Sequence, residues 1–270
     1  MSKLRAAVVG VGYLGRFHAQ KYRALDDVEL VGVCDLDAAA GRAVADTLGS
    51  PFFPDHRALL GKVDAVTIAA STSAHFELAR FFLENGVHVL VEKPMTRTSA
   101  EAATLTELAD RRGLKLQVGH VERFNPALLS VRAGLTAVSF IECHRLAPFK
   151  GRGADVNVIL DLMIHDLDVI LSLVAAEPID VSAVGIAVLT DEVDIANARI
   201  EFANRAIANV TASRVSTAAQ RRFRVFQAKQ YVAIDFGSGE VRRVTRRPDA
   251  PADQGALEED HWSLEKSDAL

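Results

Sequence analysis

The 270-residue chain contains only two cysteines, Cys34 and Cys143. One ends a predicted strand and the other lies inside one, so a disulfide framework is not indicated. No apolar run approaches membrane-spanning length, and the N-terminus enters a strand without a signal-type apolar stretch. The expectation is a cytoplasmic protein with no membrane partner. Long runs of one charge are also missing. The 31 basic and 35 acidic residues leave a net charge of −4. The densest basic stretches, Arg221-Arg222-Phe223-Arg224 and Arg242-Arg243 to Arg246-Arg247, are short and mixed with strand-forming residues. They suit a solvated face or the rim of an anion site better than a nucleic-acid surface, so no nucleic-acid partner is expected. Internal repeats are absent as well. The chain does have 49% hydrophobic residues, enough for a proper core in one large or two ordinary domains.

The first 35 residues are the most specific. Leu4–Val9 reads as a buried strand, and Gly10-Val11-Gly12-Tyr13-Leu14-Gly15 follows at once. A second strand-like run, Val28–Cys34, ends in Asp35, 20 residues past the third glycine. Strand, G-x-G-x-x-G, helix, strand and acid together describe a dinucleotide site. Gly10 permits the tight turn, Gly12 lets a pyrophosphate approach the backbone, and Gly15 allows close helix–sheet packing. The helix N-terminus, with Tyr13 and Leu14 at its mouth, presents free N–H groups to the phosphates. Asp35 can accept hydrogen bonds from both adenosine ribose hydroxyls. It would repel a ribose 2′-phosphate, so NAD is expected ahead of NADP. The alternative is a glycine turn that binds nothing.

Residues 1–120 alternate strands (4–9, 28–34, 63–69, 87–91, 114–118) with helices (13–25, 37–48, 73–85, 98–111). Nearly all-apolar strands such as 65–69 and 87–91 imply a sheet covered on both faces, hence a doubly wound parallel α/β domain. Residues 121–270 read differently. A short helix (126–134), a long alternating strand (136–147) and an apolar helix (156–174) precede strand-like runs at 178–190, 193–202, 205–214, 222–228, 230–236 and 239–245. This predicts an α+β domain with a largely antiparallel sheet covered on one face by helix. Residues 247–262 read as a loop, and 264–270 as the start of a helix.

Ligands of open α/β sheets gather where the strands end. The residues past each strand include Ser71, Thr72 and His75, then Glu92-Lys93-Pro94, then Gly119-His120-Val121-Glu122-Arg123-Phe124-Asn125-Pro126. Lys93 beside a cofactor could hydrogen-bond a substrate oxygen or move a proton, or it could simply pair with Glu92. Asp161 and His165 stand four apart on the apolar helix and share a face. An imidazole there could take an alcohol proton while the carboxylate orients the ring and steadies its cation. The competing reading is a helix-surface ion pair. A metal site from Glu142, Cys143 and His144 is disfavoured, because adjacent strand residues face opposite ways. No metal is expected.

Four stretches together resemble the Gfo/Idh/MocA family. They are Val9-Gly10-Val11-Gly12, Ile68-Ala69-Ala70 with His75, Gly86-Val87-His88-Val89-Leu90-Val91-Glu92-Lys93-Pro94-Met95, and Asp161-Leu162-Met163-Ile164-His165-Asp166-Leu167-Asp168. The likeness runs from residue 4 to about 236. It implies a Rossmann domain, a second α/β domain that often builds homo-oligomers through its sheet, and oxidation or reduction of a sugar or cyclitol carbon with NAD or NADP. By it, Lys93, His165 and Asp161 are catalytic. The dinucleotide set is Gly10, Gly12, Tyr13, Leu14, Gly15, Asp35, Ser71, Thr72, His75, Glu92 and Lys93. The segment 119–126 is similar to that of members acting as UDP-N-acetylglucosamine 3-dehydrogenases. That narrower likeness implies oxidation of C3 of a UDP-N-acetyl amino sugar, with Lys93, His120, Arg123, Asn125, Arg152, Asp161 and His165 at the substrate. Arg145, Lys150, Arg221 and Arg222 are further cations for its diphosphate, and Gly151-Arg152-Gly153 a loop able to close over it. A free sugar, cyclitol or diol is the alternative substrate, and an NAD-bound sensor without turnover the alternative class. Members of the family usually continue a few dozen residues further.

Overall fold

The computed structural model describes residues 2–149, 156–247 and 262–268, in two compact units, Met1–Gly119 and His120–Leu270. In the first, six parallel strands run in the order β3-β2-β1-β4-β5-β6. They are β1 (Leu4–Val9), β2 (Val28–Cys34), β3 (Phe52–Phe53), β4 (Ala65–Ile68), β5 (His88–Val91) and β6 (Leu116–Val118). Four helices connect them: α1 (Gly15–Ala24), α2 (Ala38–Leu48), α3 (Thr72–Glu84) and α4 (Ser99–Arg112). β1 pairs with β2 on one side and β4 on the other, so the strand order reverses across β1. The crevice of such a sheet opens there, and the glycine turn leaves β1 at that point. Val8, Val66, Ile68, Val89 and Val91 are buried, as strands covered on both faces require.

Helix ends are set by the residues that favour them. Thr98 and Glu101 form a reciprocal capping box at the start of α4, a device worth about 1 kcal/mol. Asp37 caps α2 by accepting from Ala39 N and Ala40 N, and Gly49 and Gly113 end α2 and α4 in the left-handed conformation. The two-residue β3 escaped the sequence reading because so short a strand has no periodicity to detect.

The second unit is an eight-stranded sheet in the order β14-β13-β12-β11-β7-β10-β9-β8. Its strands are β7 (Val138–Leu146), β8 (Pro178–Ile186), β9 (Ile195–Phe202), β10 (Ile207–Ser213), β11 (Gln220–Gln227), β12 (Gln230–Asp235), β13 (Glu240–Arg246) and β14 (Trp262–Asp268). Every neighbouring pair is antiparallel except β7–β10, which is parallel. Helices α5 (Pro126–Arg132) and α6 (Ile164–Leu173) bury Leu128, Val131, Val169 and Ile170 with Ile141, Cys143, Val210 and Phe223 of one sheet face.

Two expectations change here. Leu264 to Asp268 is not the start of a helix; it belongs to β14, paired antiparallel with β13. The open edge of β13 supplies a hydrogen-bonding ladder that local propensity does not foresee. The apolar helix at 156–174 is not uniform either: it opens with a π-turn over Ile159–Met163 that passes directly into α6. No described helix is long and apolar enough to cross a membrane. Both cysteines are free and buried.

Candidate active site

In the first unit the glycine turn is sterically fixed. Gly10 adopts φ +83°, and a Cβ there would lie 2.6 Å from Ala70 N. A Cβ on Gly15 would fall 1.8 Å from the Gly10 carbonyl oxygen. Gly12 is different, because a Cβ there would meet nothing within 4 Å. Gly10 and Gly15 are therefore required by the turn itself, while Gly12 faces the open space a pyrophosphate would fill. Asp35 is oriented toward the turn: Val11 N donates to its Oδ2 at 2.7 Å and Asp37 N to its Oδ1 at 2.9 Å. Each oxygen keeps a second acceptor position for a ribose hydroxyl. Tyr13 and Leu14 are exposed at the mouth, and Tyr13 packs edge-on against Phe17. These residues fit a nicotinamide dinucleotide.

The next strand ends add the remaining positions. Ser71 and Thr72 sit at the start of α3, past β4. His75 is only 1% exposed. Its Nδ1 lies 2.8 Å from the Pro94 carbonyl oxygen and its Nε2 3.1 Å from that of Ala70. It stands beneath the rim and braces the segment that carries Lys93. Glu92 is buried and plays a similar part. Its Oε1 lies 2.7 Å from His18 Nε2 on α1, and its Oε2 accepts from Lys93 N at 3.3 Å. Its carboxyl group also lies where a Cβ on Gly119 would fall, at 3.0 Å. Glu92 thus joins the helix of the glycine turn to the ends of β5 and β6. His18 was missed from sequence because a single histidine one turn into a helix carries no motif.

In the second unit Asp161 lies in the π-turn and His165 in the first turn of α6, both half-buried. Such interruptions of an α-helix recur at functional sites. His120, Arg123 and Asn125 follow β6. Arg123 grips Asp168 with two hydrogen bonds, from Nε and Nη2, both 2.7 Å long. This raises the Arg123 pKa further, through the Asp168 hydrogen bond. His120 Nε2 stands 3.8 Å from the same carboxylate. The Asn125 side chain serves local structure: it accepts from Ala127 N to cap α5 and donates to Glu122. Arg145 is 3% exposed and donates to both Asp166 oxygens, at 3.0 and 2.8 Å, and to Glu122 at 3.1 Å. Burial pushes the Asp166 carboxyl up while Arg145 pulls it back.

Among the described residues, the cations expected to hold a diphosphate divide between the two faces of the sheet. Arg145 is committed to internal carboxylates. Arg221 and Arg222 are adjacent on β11 and take opposite faces of the sheet, Arg221 that of Arg145 and Arg222 that of His144. Lys150 and the loop Gly151-Arg152-Gly153 lie outside the described residues. Cys143 faces the core, with Glu142 and His144 on the other side of the sheet. No cluster able to hold a metal ion occurs among the described residues.

Comparison with known proteins identifies the family. Residues 4–120 match the model of the Gfo/Idh/MocA oxidoreductase family with an NAD-binding Rossmann fold, and residues 144–232 match a Gfo/Idh/MocA C-terminal domain. The chain is 44% identical to UDP-N-acetylglucosamine 3-dehydrogenase of Acidithiobacillus ferrooxidans, over 100% of its own length and 86% of that protein. A solved structure of that enzyme superposes with a TM-score of 0.90 at 43% identity, covering 99% of this chain and 84% of the other. Identity to the NAD(+)-dependent scyllo-inositol 2-dehydrogenase of Bacillus subtilis is 32%, over 79% of this chain and 68% of that one. The chain belongs to the Gfo/Idh/MocA family of NAD-binding oxidoreductases.

Proposed function

We propose that this protein oxidises the C3 hydroxyl of a UDP-N-acetyl amino sugar to a ketone, with NAD as the oxidant. The observation that carries the reading is the 44% identity, along the whole chain, to an enzyme named for that reaction. His165 takes the hydroxyl proton, and Asp161 orients its ring and balances the imidazolium charge. Lys93 hydrogen-bonds a substrate oxygen, and its backbone is held by Glu92. Arg123 and His120 add polar contacts to the sugar nucleotide. Bound NAD supplies the hydride acceptor. Its ribose hydroxyls fall to Asp35, its pyrophosphate to the turn at Gly10, Gly12 and Gly15. We also propose a homo-oligomer formed through the sheet of the second unit, since Ile179, Val181, Val184 and Ile186 of the edge strand β8 are each more than 55% exposed.

The test is NAD reduction by UDP-N-acetylglucosamine, myo-inositol and glucose in parallel. Turnover with the nucleotide sugar, and little with the other two, is expected. Turnover confined to the unphosphorylated polyols would replace the reading with that of a polyol dehydrogenase, which the likeness to a scyllo-inositol 2-dehydrogenase favours.

A further inference from the structure

Asp168 has no part in the chemistry assigned above, yet its place on the helix is specific. His165 and Asp168 stand three apart on α6 and are neighbours along its surface, and Asp161 precedes His165 by four residues, about one turn, across the π-turn. Asp166, about 100° further round than His165, takes another direction and is buried against Arg145. The Asp168 side chain is 8% exposed, while that of Arg123, its partner across 45 residues, is 45% exposed. The carboxylate is thus covered and the guanidinium it grips is presented outward. The clamp occupies Nε and Nη2. Arg123 Nη1 makes no hydrogen bond among the described residues, so its two N–H groups are available to an oxygen acceptor. His120 stands at the same carboxylate, 3.8 Å away.

We propose that Asp168 is a positioning residue for substrate binding: it fixes Arg123, with His120 beside it, against the stretch of helix that carries Asp161 and His165. An arginine left free must surrender its rotamer freedom when substrate arrives, whereas one gripped in a planar fork has already done so. The paired charges also sum to zero, so Arg123 serves as an oriented donor to a substrate oxygen more than as a bare cation. The inference rests on the reading of this stretch of helix as a substrate site.

Asp168→Asn, Arg123→Gln and the double variant, made in the full chain, test it. KM and kcat are measured on whichever of UDP-N-acetylglucosamine, myo-inositol and glucose the wild type oxidises, with NAD affinity by calorimetry and Tm alongside. Each single variant is expected to raise KM about 10-fold or more, the loss typical of a charge-assisted hydrogen bond. The double variant should be no worse than the singles, and NAD affinity should stay near wild type; Tm should stay near wild type in Asp168→Asn, which leaves only the half-exposed Arg123 unpaired, and fall somewhat in Arg123→Gln, which strands the buried Asp168. Arg123→Lys, which keeps the charge and loses the fork, should resemble Arg123→Gln. A wild-type KM in Asp168→Asn, losses that multiply in the double variant, or a fall in the Tm of Asp168→Asn that accounts for its activity would overturn the proposal. If the wild type oxidises only the polyols, the nucleotide-sugar reading fails and this cycle is decided on the polyol. A wild type that oxidises none of the three removes both.

Discussion

The two units hold their site residues by different forces. In the first, the backbone does most of the work. Asp35 is aimed by two main-chain N–H groups, and Gly10 and Gly15 are packed against main-chain atoms. In the second, charged side chains from distant segments grip each other: Arg123 with Asp168, and Arg145 with Asp166 and Glu122. A backbone cradle tolerates changes in most of its side chains but few changes in its glycines. A lattice of charges behaves in the opposite way, because removing one partner leaves a charge stranded in low dielectric. The first unit is therefore sensitive to shape, and the second to the loss of single charges.

The largest effects should fall on the reacting groups. His165→Ala and Lys93→Ala are each expected to lower kcat by roughly 10²- to 10⁴-fold, the range for a positioned acid or base. NAD affinity, measured by calorimetry, should hardly change for His165→Ala, because the glycine turn and Asp35 belong to the other unit. Near-normal turnover by that variant would return the Asp161–His165 pair to a helix-surface ion pair.

Next in size is the buried charge lattice. Arg145→Ala leaves Asp166 and Glu122, 2% and 8% exposed, without their shared counter-charge. A loss of about 3–5 kcal/mol of unfolding free energy is expected in a denaturant titration of the second unit. Arg222→Ala, on an exposed residue of the opposite sheet face, should move it by no more than about 0.5 kcal/mol. Equal losses in both variants would mean that the buried charge lattice holds this unit no more firmly than a surface arginine does.

Local chemistry was legible from sequence and long-range chemistry was not. The strand, the glycine turn and Asp35 lie within 35 residues and obey a short spacing rule, so the dinucleotide-type fold of the first unit could be read directly. The Thr98 capping box likewise needs only four residues. By contrast, Arg123, Asn125, Arg145 and Arg221 look alike on paper, as polar residues near strand ends or on strands. Only the fold shows that Asn125 caps a helix, that Arg145 is buried between two acids, and that Arg123 is clamped. β14 and the parallel pairing of β7 with β10 were invisible for the same reason: pairing across many residues leaves no local period.

The glycines offer a sharper test of the backbone cradle. Gly15→Ala would drive a Cβ into the Gly10 carbonyl, so the turn must deform; overpacking of this kind costs about 1–3 kcal/mol. Tm and dinucleotide affinity should fall together. Gly12→Ala meets no protein atom within 4 Å. Its Tm should stay at the wild-type value while NAD binding weakens, because the new methyl group occupies the place of the pyrophosphate. Unchanged NAD affinity in Gly12→Ala would mean that the turn does not hold phosphate.

The smallest expected effect concerns the choice between NAD and NADP. Asp35 keeps one acceptor position on each oxygen after binding Val11 N and Asp37 N, which matches a ribose with two free hydroxyls. A 2′-phosphate would bring negative charge against that carboxylate, with Asp37 two residues beyond. Asp35→Ala removes both the acceptors and the nearer repulsion. NAD should bind more weakly and NADP somewhat better, narrowing the preference by about 10-fold, as the loss of one or two charge-assisted hydrogen bonds implies. Asp37 is occupied in capping α2, and its remaining charge should preserve part of the preference. Asp35→Asn separates the two causes. It removes the charge but keeps a single acceptor oxygen, and its amide must turn an N–H toward either Val11 N or Asp37 N. It should therefore relieve the repulsion of NADP as Asp35→Ala does, while losing the ordered turn at one of those contacts. Calorimetric titration of both dinucleotides into the three proteins decides it, and clearly tighter NADP binding by the wild type would defeat the assignment of Asp35.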